Sequence, residues 1–127
     1  MSDIAKIEQQ HRELVNLLNG LTVAVKNHEP KDDIYLIINE VIAYTEEHFA
    51  DEERLMVQSG YPEMERHKTM HKELTKDACR LNDKLHYLGE DGFREWFNRW
   101  PLGRALAHIQ YADKQLEDYL IQHGVNE

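Results

Sequence analysis

Apolar residues recur along nearly the whole chain at alternating intervals of three and four positions. This spacing places them on one face of an α-helix, and no strand-like alternation competes with it. Four apolar stripes share the spacing: Ile4, Ile7, His11, Leu14, Leu18, Leu21 and Val25; Ile34, Ile37, Val41, Thr45, His48, Glu52 and Leu55; Met64, His67, His71, Leu74, Ala78, Leu81, Leu85 and Leu88; and Leu102, Leu106, Ile109, Asp113, Leu116 and Leu120. The pattern predicts four helices, each with one face directed into a common core.

Residues that break helices separate these stripes. A break is expected at Pro30, a turn at 60–62, and the third helix is expected to end before Gly89. Pro101 is expected to interrupt or kink the last portion. A short amphipathic piece precedes it, with Phe93, Trp96 and Phe97. Short connections favour an all-α, up-down-up-down antiparallel four-helix bundle, formed by a single domain over residues 1–127.

The composition of the chain narrows the range of possible functions. The chain has 24 acidic and 15 basic residues and a net charge of −9, which disfavours nucleic-acid binding and favours a soluble protein, expected to be a monomer. It has no apolar run long enough for a membrane span, and its amino terminus lacks the pattern of a secretory signal. Cys79 is the single cysteine, so no internal disulfide forms, and a reducing cytoplasm is the expected location.

Seven polar residues stand on the stripes where core residues are expected: His11, His48, Glu52, His67, His71, His108 and Asp113. A buried imidazole or carboxylate without a partner costs roughly several kcal/mol. Seven of them would threaten a fold whose net stability is roughly 5–15 kcal/mol. Coordination to metal satisfies every one of these groups and stabilises the folded state. The pattern therefore predicts a metal site in the core of the bundle.

The spacing of these residues suits such a site. Two pairs are four residues apart and so project from one helical face: His48 with Glu52, and His67 with His71. His108 and Asp113 are five residues apart, which an ideal α-helix separates by roughly 140°. A single π-bulge would bring them closer, and such bulges are frequent at functional sites. We therefore hypothesise a π-bulge between them.

Ligand chemistry indicates the number of metals. Imidazole nitrogen and carboxylate oxygen without thiolate suit iron, zinc, copper or nickel. Five histidines and two carboxylates are too many for one ion, so two ions are the natural count, with Glu52 and Asp113 as bridges. Together with one bridging oxygen, these residues supply one bond fewer than six-coordination of both ions requires. One position therefore stays open for a small ligand.

Four motifs occur in order along the chain: Ile7-Glu8-Gln9-Gln10-His11, His48-Phe49-Ala50-Asp51-Glu52-Glu53, Tyr61-Pro62 leading to His67-x3-His71, and His108-Ile109-x3-Asp113. At these residues, over nearly its whole length, the chain resembles the hemerythrins. The resemblance implies a non-haem di-iron centre that binds dioxygen reversibly. It implies separate ligand sets for two iron ions beside a bridging oxo or hydroxo group: His67, His71 and His108 for the coordinatively full iron, His11 and His48 for the open one, and Glu52 and Asp113 as bridges.

The surroundings of the open position can also be predicted. The candidate walls of the pocket are Leu14, Phe49, Leu106 and Ile109, with ordinary core packing as the alternative for each. One turn before the last histidine, the family often has tryptophan followed by an apolar residue, whereas this chain has Arg104 and Ala105. If Arg104 points into the pocket, its charge is expected to shorten the lifetime of the dioxygen complex.

Two other positions can be interpreted from their distance to a candidate ligand. Glu8 lies one turn before His11, so it either orients the imidazole or is an exposed acid of the first turn. Cys79 lies two turns beyond His71 and is expected to be buried.

Three functional classes compete. The first is a dioxygen-binding protein for carriage, storage or sensing. The second is a di-iron enzyme: an oxidase, a peroxidase or a nitric oxide reductase, with nitric oxide as an alternative ligand. Oxygen-activating bundles usually use carboxylate-rich sets with Glu-x-x-His pairs, whereas this set is rich in histidine, which favours reversible binding over catalysis. The third class, a structural bundle with an incidental metal, is disfavoured by the seven-residue set.

Overall fold

The computed structural model of the protein describes residues 3–100 and 102–123. It is helical almost throughout these ranges. The helices are α1 (Asp3–Lys26), α2 (Lys31–Ser59), α3 (Met64–Phe97), α4 (Leu102–Ala107) and α5 (Lys114–Gln122), with a π-helical turn (His108–Asp113) between the last two. The segments from α4 to α5 follow one another without a break and form the fourth rod of the bundle. The predicted all-α four-helix bundle is therefore confirmed.

Contacts at the two ends of the bundle fix the directions of the rods. The backbone N–H of Lys31, at the start of α2, donates to Glu90 near the end of α3. The hydroxyl of Tyr119, near the end of the fourth rod, donates to the carbonyl of Ser59 at the end of α2. On α1, Gln10 donates to Asp51 in the later half of α2. Consecutive rods therefore run antiparallel, in the predicted up-down-up-down order.

The predicted turn residues act as expected at two places. Pro30 precedes α2 with a φ of −57°, which suits the start of a helix. Gly60 ends α2 in the left-handed region, with a φ of 65°, and its N–H donates to the carbonyl of Val57. Pro101 lies outside the described residues, so the predicted kink at that residue is not addressed.

The predicted end of the third helix before Gly89 is confirmed. Gly89 has a φ of 71° and a ψ of −174°, which is not helical, and a second helical segment begins directly after it and continues to Phe97. This backbone conformation is open to glycine and costly for other residues, so α3 is divided by a bend at this residue. The bend lets the amphipathic piece pack inward, with Phe93 fully buried and Phe97 nearly so.

Two apolar clusters fill the core, one toward each end of the bundle. The larger cluster includes Leu21, Ile38, Leu81 and Phe93, each with no exposed surface. The smaller cluster contains Ile7, Leu55, Met56, Tyr61, Leu116 and Leu120. The seven polar residues of the stripes are buried between these clusters. In the described parts of the chain, no helix combines the length and the apolar character that crossing a membrane requires.

Candidate metal centre

The structure brings the seven predicted residues together in the middle of the bundle. Each offers one nitrogen or oxygen atom to one or both of two overlapping groups: Glu52, His67, His71, His108 and Asp113 in the first, and His11, His48, Glu52 and Asp113 in the second. Within each group these atoms lie within 4.8 Å of one another. Three histidines therefore belong to one half of the site, two belong to the other, and both halves share the same two carboxylates.

Glu52 directs one carboxylate oxygen toward each half of the site. Its Oε1 lies 2.9 Å from Nε2 of His71 and 3.4 Å from Nε2 of His67. Its Oε2 lies 3.3 Å from Nε2 of His11 and 3.4 Å from Nε2 of His48. The carboxylate itself has no exposed surface. This orientation is the one that a carboxylate needs to bridge two cations.

Asp113 has the same orientation from the opposite side of the bundle. Its Oδ1 lies 3.0 Å from Nε2 of His67 and 3.0 Å from Nε2 of His108. Its Oδ2 lies 2.8 Å from Nε2 of His11. Both carboxylates thus present one oxygen to the three-histidine half and the other to the two-histidine half.

A π-helical turn makes the contribution of the fourth rod possible. The turn spans His108–Asp113, so its first and last residues are the two proposed ligands. A π-helical turn holds more residues than an α-helical turn, so it brings residues five apart onto nearly the same face. The π-bulge hypothesised from the sequence spacing is therefore confirmed.

The hydrogen-bonding pattern of the site supports occupation by cations. Four buried atoms of the site have no hydrogen-bond partner: Nε2 of His48, Nε2 of His108, and both oxygens of Asp113. Buried polar atoms are nearly always hydrogen-bonded, so such a cluster calls for a specific explanation. These nitrogens and oxygens lie close together without hydrogen-bond geometry, as expected when their lone pairs point at shared centres. The residues present therefore fit a pair of metal ions.

The pKa values of these groups show how strongly the groups depend on one another. Burial alone lowers the pKa of His11, but the carboxylates of Asp113 and Glu52, whose oxygens lie 2.8 Å and 3.3 Å from its Nε2, outweigh burial and raise that pKa to about 10. Burial also lowers the pKa of His67, but the same two carboxylates outweigh it and raise that pKa to about 9. Burial raises the pKa of Glu52 and of Asp113, but the surrounding imidazoles reverse this and hold both below their usual range. A metal ion replaces these imidazolium charges and satisfies both carboxylates directly.

Comparison with known proteins gives the family. Residues 2–123 match the model of the hemerythrin HHE cation-binding domain. The chain belongs to the hemerythrin family. Among curated proteins, it is 38% identical to a bacteriohemerythrin of Pseudomonas aeruginosa over 127 residues, which cover 98% of this chain and 78% of that protein.

Two further bacteriohemerythrins show the same relationship. The chain is 33% identical to one from Stenotrophomonas maltophilia over 120 residues, which cover 92% of this chain and 74% of the relative. It is 33% identical to one from Clostridium acetobutylicum over 118 residues, which cover 91% and 92% of the two chains. Among solved structures, none gives a significant match.

Outer side chains orient two of the imidazoles in this hemerythrin domain. Nδ1 of His48 lies 2.8 Å from Oε1 of Gln10, whose amide in turn donates to Asp51 over 2.8 Å. Nδ1 of His71 lies 2.9 Å from Oε2 of Glu53. With Nδ1–H donating outward, each ring presents Nε2 to the centre of the site. Sequence reasoning did not assign this role to Gln10 or Glu53, because outward partners come from helix positions that periodicity alone assigns to the surface or the flank.

The acidic side chain that faces Nδ1 of His11 comes from another helix than the sequence suggested. Glu8, for which orientation of the ring and solvent exposure were the two alternatives, is exposed. Glu117 on α5 instead lies 3.7 Å from Nδ1 of His11, and its Oε1 is buried without a hydrogen-bond partner. Burial raises the pKa of Glu117, although the nearby His11 opposes this. The packing of α1 against α5 decides this contact, and no local spacing reveals it.

A cavity of about 30 Å³ adjoins the hemerythrin site. It contacts His48 of the two-histidine half, His108 of the three-histidine half and the shared Asp113, and its apolar lining includes three of the four predicted walls: Leu14, Phe49 and Ile109. A water molecule needs roughly 10–15 Å³ measured in this way, so the space suits a diatomic molecule.

The fourth candidate wall, Leu106, does not line this cavity, and its alternative, ordinary core packing, is the one observed. Ala105 lines the cavity instead, and Leu106 packs against the larger apolar cluster. Ala105 and Ile109 are four residues apart and share a helical face, whereas Leu106 is rotated by roughly 100° from Ala105.

Arg104 does not reach into this cavity. Its guanidinium lies 3.0 Å from Oδ2 of Asp77 and its side chain is about half exposed, at 53%. Trp100 lines the cavity, and its indole N–H donates to the backbone carbonyl of Asp77. The condition under which Arg104 was expected to shorten the lifetime of a complex is therefore not met.

The expectation that Cys79 is buried is also wrong. Its thiol is exposed. Two helical turns from His71 end between positions 78 and 79, and the extra fraction of a turn rotates Cys79 away from the core while Ala78 is buried.

Proposed function

We propose that this protein binds dioxygen reversibly at a di-iron centre, for carriage, storage or sensing. In this proposal two iron ions share the site with a bridging oxo or hydroxo group: His67, His71 and His108 hold one iron, His11 and His48 hold the other, and Glu52 and Asp113 bridge both. The names of the bacteriohemerythrin relatives support the choice of iron and dioxygen.

One observation carries the proposal. A small cavity with a largely apolar lining reaches proposed ligands of both halves of the site. His48, His108 and Asp113 line this cavity, whereas His67 and His71 do not. A small ligand in the cavity would therefore lie directly beside the site, next to one of the two histidines proposed for the open iron.

The chain's own residues prepare this cavity for a neutral diatomic ligand. Leu14, Phe49 and Ile109 line the cavity with apolar surface, which disfavours water. Phe49 also stacks on the ring of His71, with centroids 3.8 Å apart and an angle of 7° between the planes, which holds that imidazole in place. A pair of ferrous ions held by these residues would supply the electrons for reversible reduction of dioxygen.

The size of the cavity supports binding over catalysis on an organic substrate. A space of about 30 Å³ suits a diatomic molecule and offers little room for an organic substrate. This does not separate a carrier from a protein that consumes nitric oxide or peroxide, because those ligands also fit. The two alternatives differ in whether the ligand is recovered unchanged.

The deciding experiment exposes anaerobic, reduced, iron-loaded protein to air and follows its visible spectrum. For a dioxygen-binding protein we expect a new absorption band that disappears under argon and returns over repeated cycles. Immediate conversion to the oxidised form, with hydrogen peroxide accumulating, would contradict reversible binding. Parallel additions of nitric oxide test the alternative ligand, with release of nitrous oxide as the sign of turnover. His48→Ala, which removes one ligand of the open iron, is the matched control and should give no reversible band.

A further inference from the structure

The four threonines of the chain differ in what their hydroxyls contact. Three donate to the backbone carbonyl four residues earlier: Thr22 to Leu18, Thr69 to Glu65, and Thr75 to His71. This is the usual way in which a helical threonine satisfies its hydroxyl. Thr45 also lies inside a helix, but among the described residues its hydroxyl has no hydrogen-bond partner, although only 6% of the residue is exposed.

The hydroxyl of Thr45 belongs to a residue on the wall of the cavity. On α2 it lies three residues before His48 and four before Phe49, so the three side chains share one face of the helix. All three line the cavity that adjoins the site. A donor without a partner among the described residues therefore stands on the wall of the space in which a small ligand would lie.

The other polar groups on this wall are already engaged. The carboxylate of Asp77 pairs with Arg104 over 3.0 Å, and the backbone carbonyl of Asp77 accepts the indole N–H of Trp100. His48, His108 and Asp113 also line the cavity, and their unpartnered nitrogens and oxygens are the proposed metal ligands. Thr45 is thus the lining residue whose neutral O–H is left to contact a ligand.

We propose that the Thr45 hydroxyl donates a hydrogen bond to the small ligand in this cavity and so favours ligands that bear an acceptor atom, such as azide or dioxygen that has gained electron density. The identity of dioxygen as the natural ligand rests on the proposed function above. The role of Thr45 does not, because azide tests it separately. A hydrogen bond to a charged acceptor is stronger than one to a neutral acceptor, so the effect should be larger for an anionic ligand.

The test measures azide binding to oxidised, metal-loaded protein by spectrophotometric titration. Thr45→Val keeps the shape of the side chain and removes the hydroxyl, and we expect its dissociation constant to rise about fivefold or more. Thr45→Ser keeps the hydroxyl and should stay within about twofold of the parent. Thr22→Val, whose hydroxyl bonds to the backbone outside the cavity, is the matched control and should also leave affinity unchanged.

Two results would overturn the proposal. Unchanged azide affinity in Thr45→Val would show that no hydrogen bond reaches the ligand. Equal weakening in the valine and serine variants would show that volume, and not the hydroxyl, governs binding. If the parent protein fails to bind dioxygen reversibly, the proposed function fails, while the azide titration still decides the role of Thr45.

A second measurement needs no metal. Because the Thr45 hydroxyl has no partner to lose among the described residues, the melting temperature of metal-free Thr45→Val should equal or exceed that of the parent. Thr22→Val loses a hydrogen bond and should melt at a lower temperature. A decrease in Thr45→Val as large as that in Thr22→Val would show that the hydroxyl is bonded within the protein, and would contradict the proposal.

Discussion

His108 and Asp113 are five residues apart, yet Nε2 of His108 lies 3.0 Å from Oδ1 of Asp113 because the turn between them is π-helical. The turn has two effects. It places an imidazole and a carboxylate from one rod on the same side, and it leaves the helical phase before and after the turn suited to the core. Leu116 and Leu120 therefore remain buried beyond it.

Deletion of the exposed residue Gln110 should convert this turn into an α-helical one without rotating the flanking helices, because a π-helical turn contains one additional residue. We expect the bundle to persist, with an unchanged helical circular dichroism spectrum. Metal content should fall, since the deletion shifts Asp113 relative to His108 by about 1.5 Å along the axis.

The matched control is deletion of the exposed residue Asn19 from α1. That deletion lies in a regular α-helix, so it rotates Leu21 and Val25 out of the core by roughly 100°. It should lower the melting temperature far more than deletion of Gln110 does. Equal destabilisation by the two deletions would contradict this account of the turn.

The metal content should fall by different amounts when a ligand of one ion is removed and when a bridging ligand is removed. His48→Ala removes a ligand from the two-histidine half alone, so about one metal ion per chain should remain where two bind the parent. Glu52→Ala removes an oxygen from both halves and should deplete both ions. Elemental analysis of the purified chains measures this. His86→Ala, which alters an exposed histidine on the same bundle, should bind as much metal as the parent.

Removal of the metal should lower stability without unfolding the protein. A ligand at roughly 100 times its dissociation constant stabilises the folded state by about 2.7 kcal/mol. For a domain of this size such a change corresponds to roughly 10 °C in melting temperature. Thermal denaturation with and without a chelator gives the difference. Identical melting temperatures, with metal shown to be absent from one sample, would refute the coupling between binding and folding.

Two glycines should respond to alanine in opposite directions. Gly89 has a φ of 71°, so Gly89→Ala should destabilise the fold by about 1–3 kcal/mol. Gly20 lies inside α1, where an added Cβ would meet nothing within 4 Å, so Gly20→Ala should stabilise the fold by about 0.5–1 kcal/mol. Chemical denaturation of the two variants measures both effects. Stabilisation by Gly89→Ala would show that the bend does not require glycine.

Local patterns in the sequence predict most of the proposed ligand set, since each ligand lies on an apolar stripe where its polarity is conspicuous. Even the π-helical turn follows from the five-residue interval between His108 and Asp113. Side-chain partners from other helices are less predictable. Glu117 approaches His11 from α5, and no interval along the chain encodes that contact.

The exposure of Cys79 shows the limit of assigning burial by counting helical turns. A fraction of a helical turn decides whether Cys79 faces the core. The break at Gly89, in contrast, follows from the sequence, because glycine adopts a positive φ without strain.

The polar site lies between two apolar clusters, so the packing that stabilises the bundle lies toward its two ends. Apolar packing stabilises one end of the bundle through Leu81 and Phe93 and the other end through Leu55 and Leu120. Neither cluster includes the proposed metal ligands. A newly synthesised chain can therefore fold first, with the middle of the bundle less tightly packed, and bind its metal ions afterwards. Loading would then be a late step in maturation that does not require the chain to unfold.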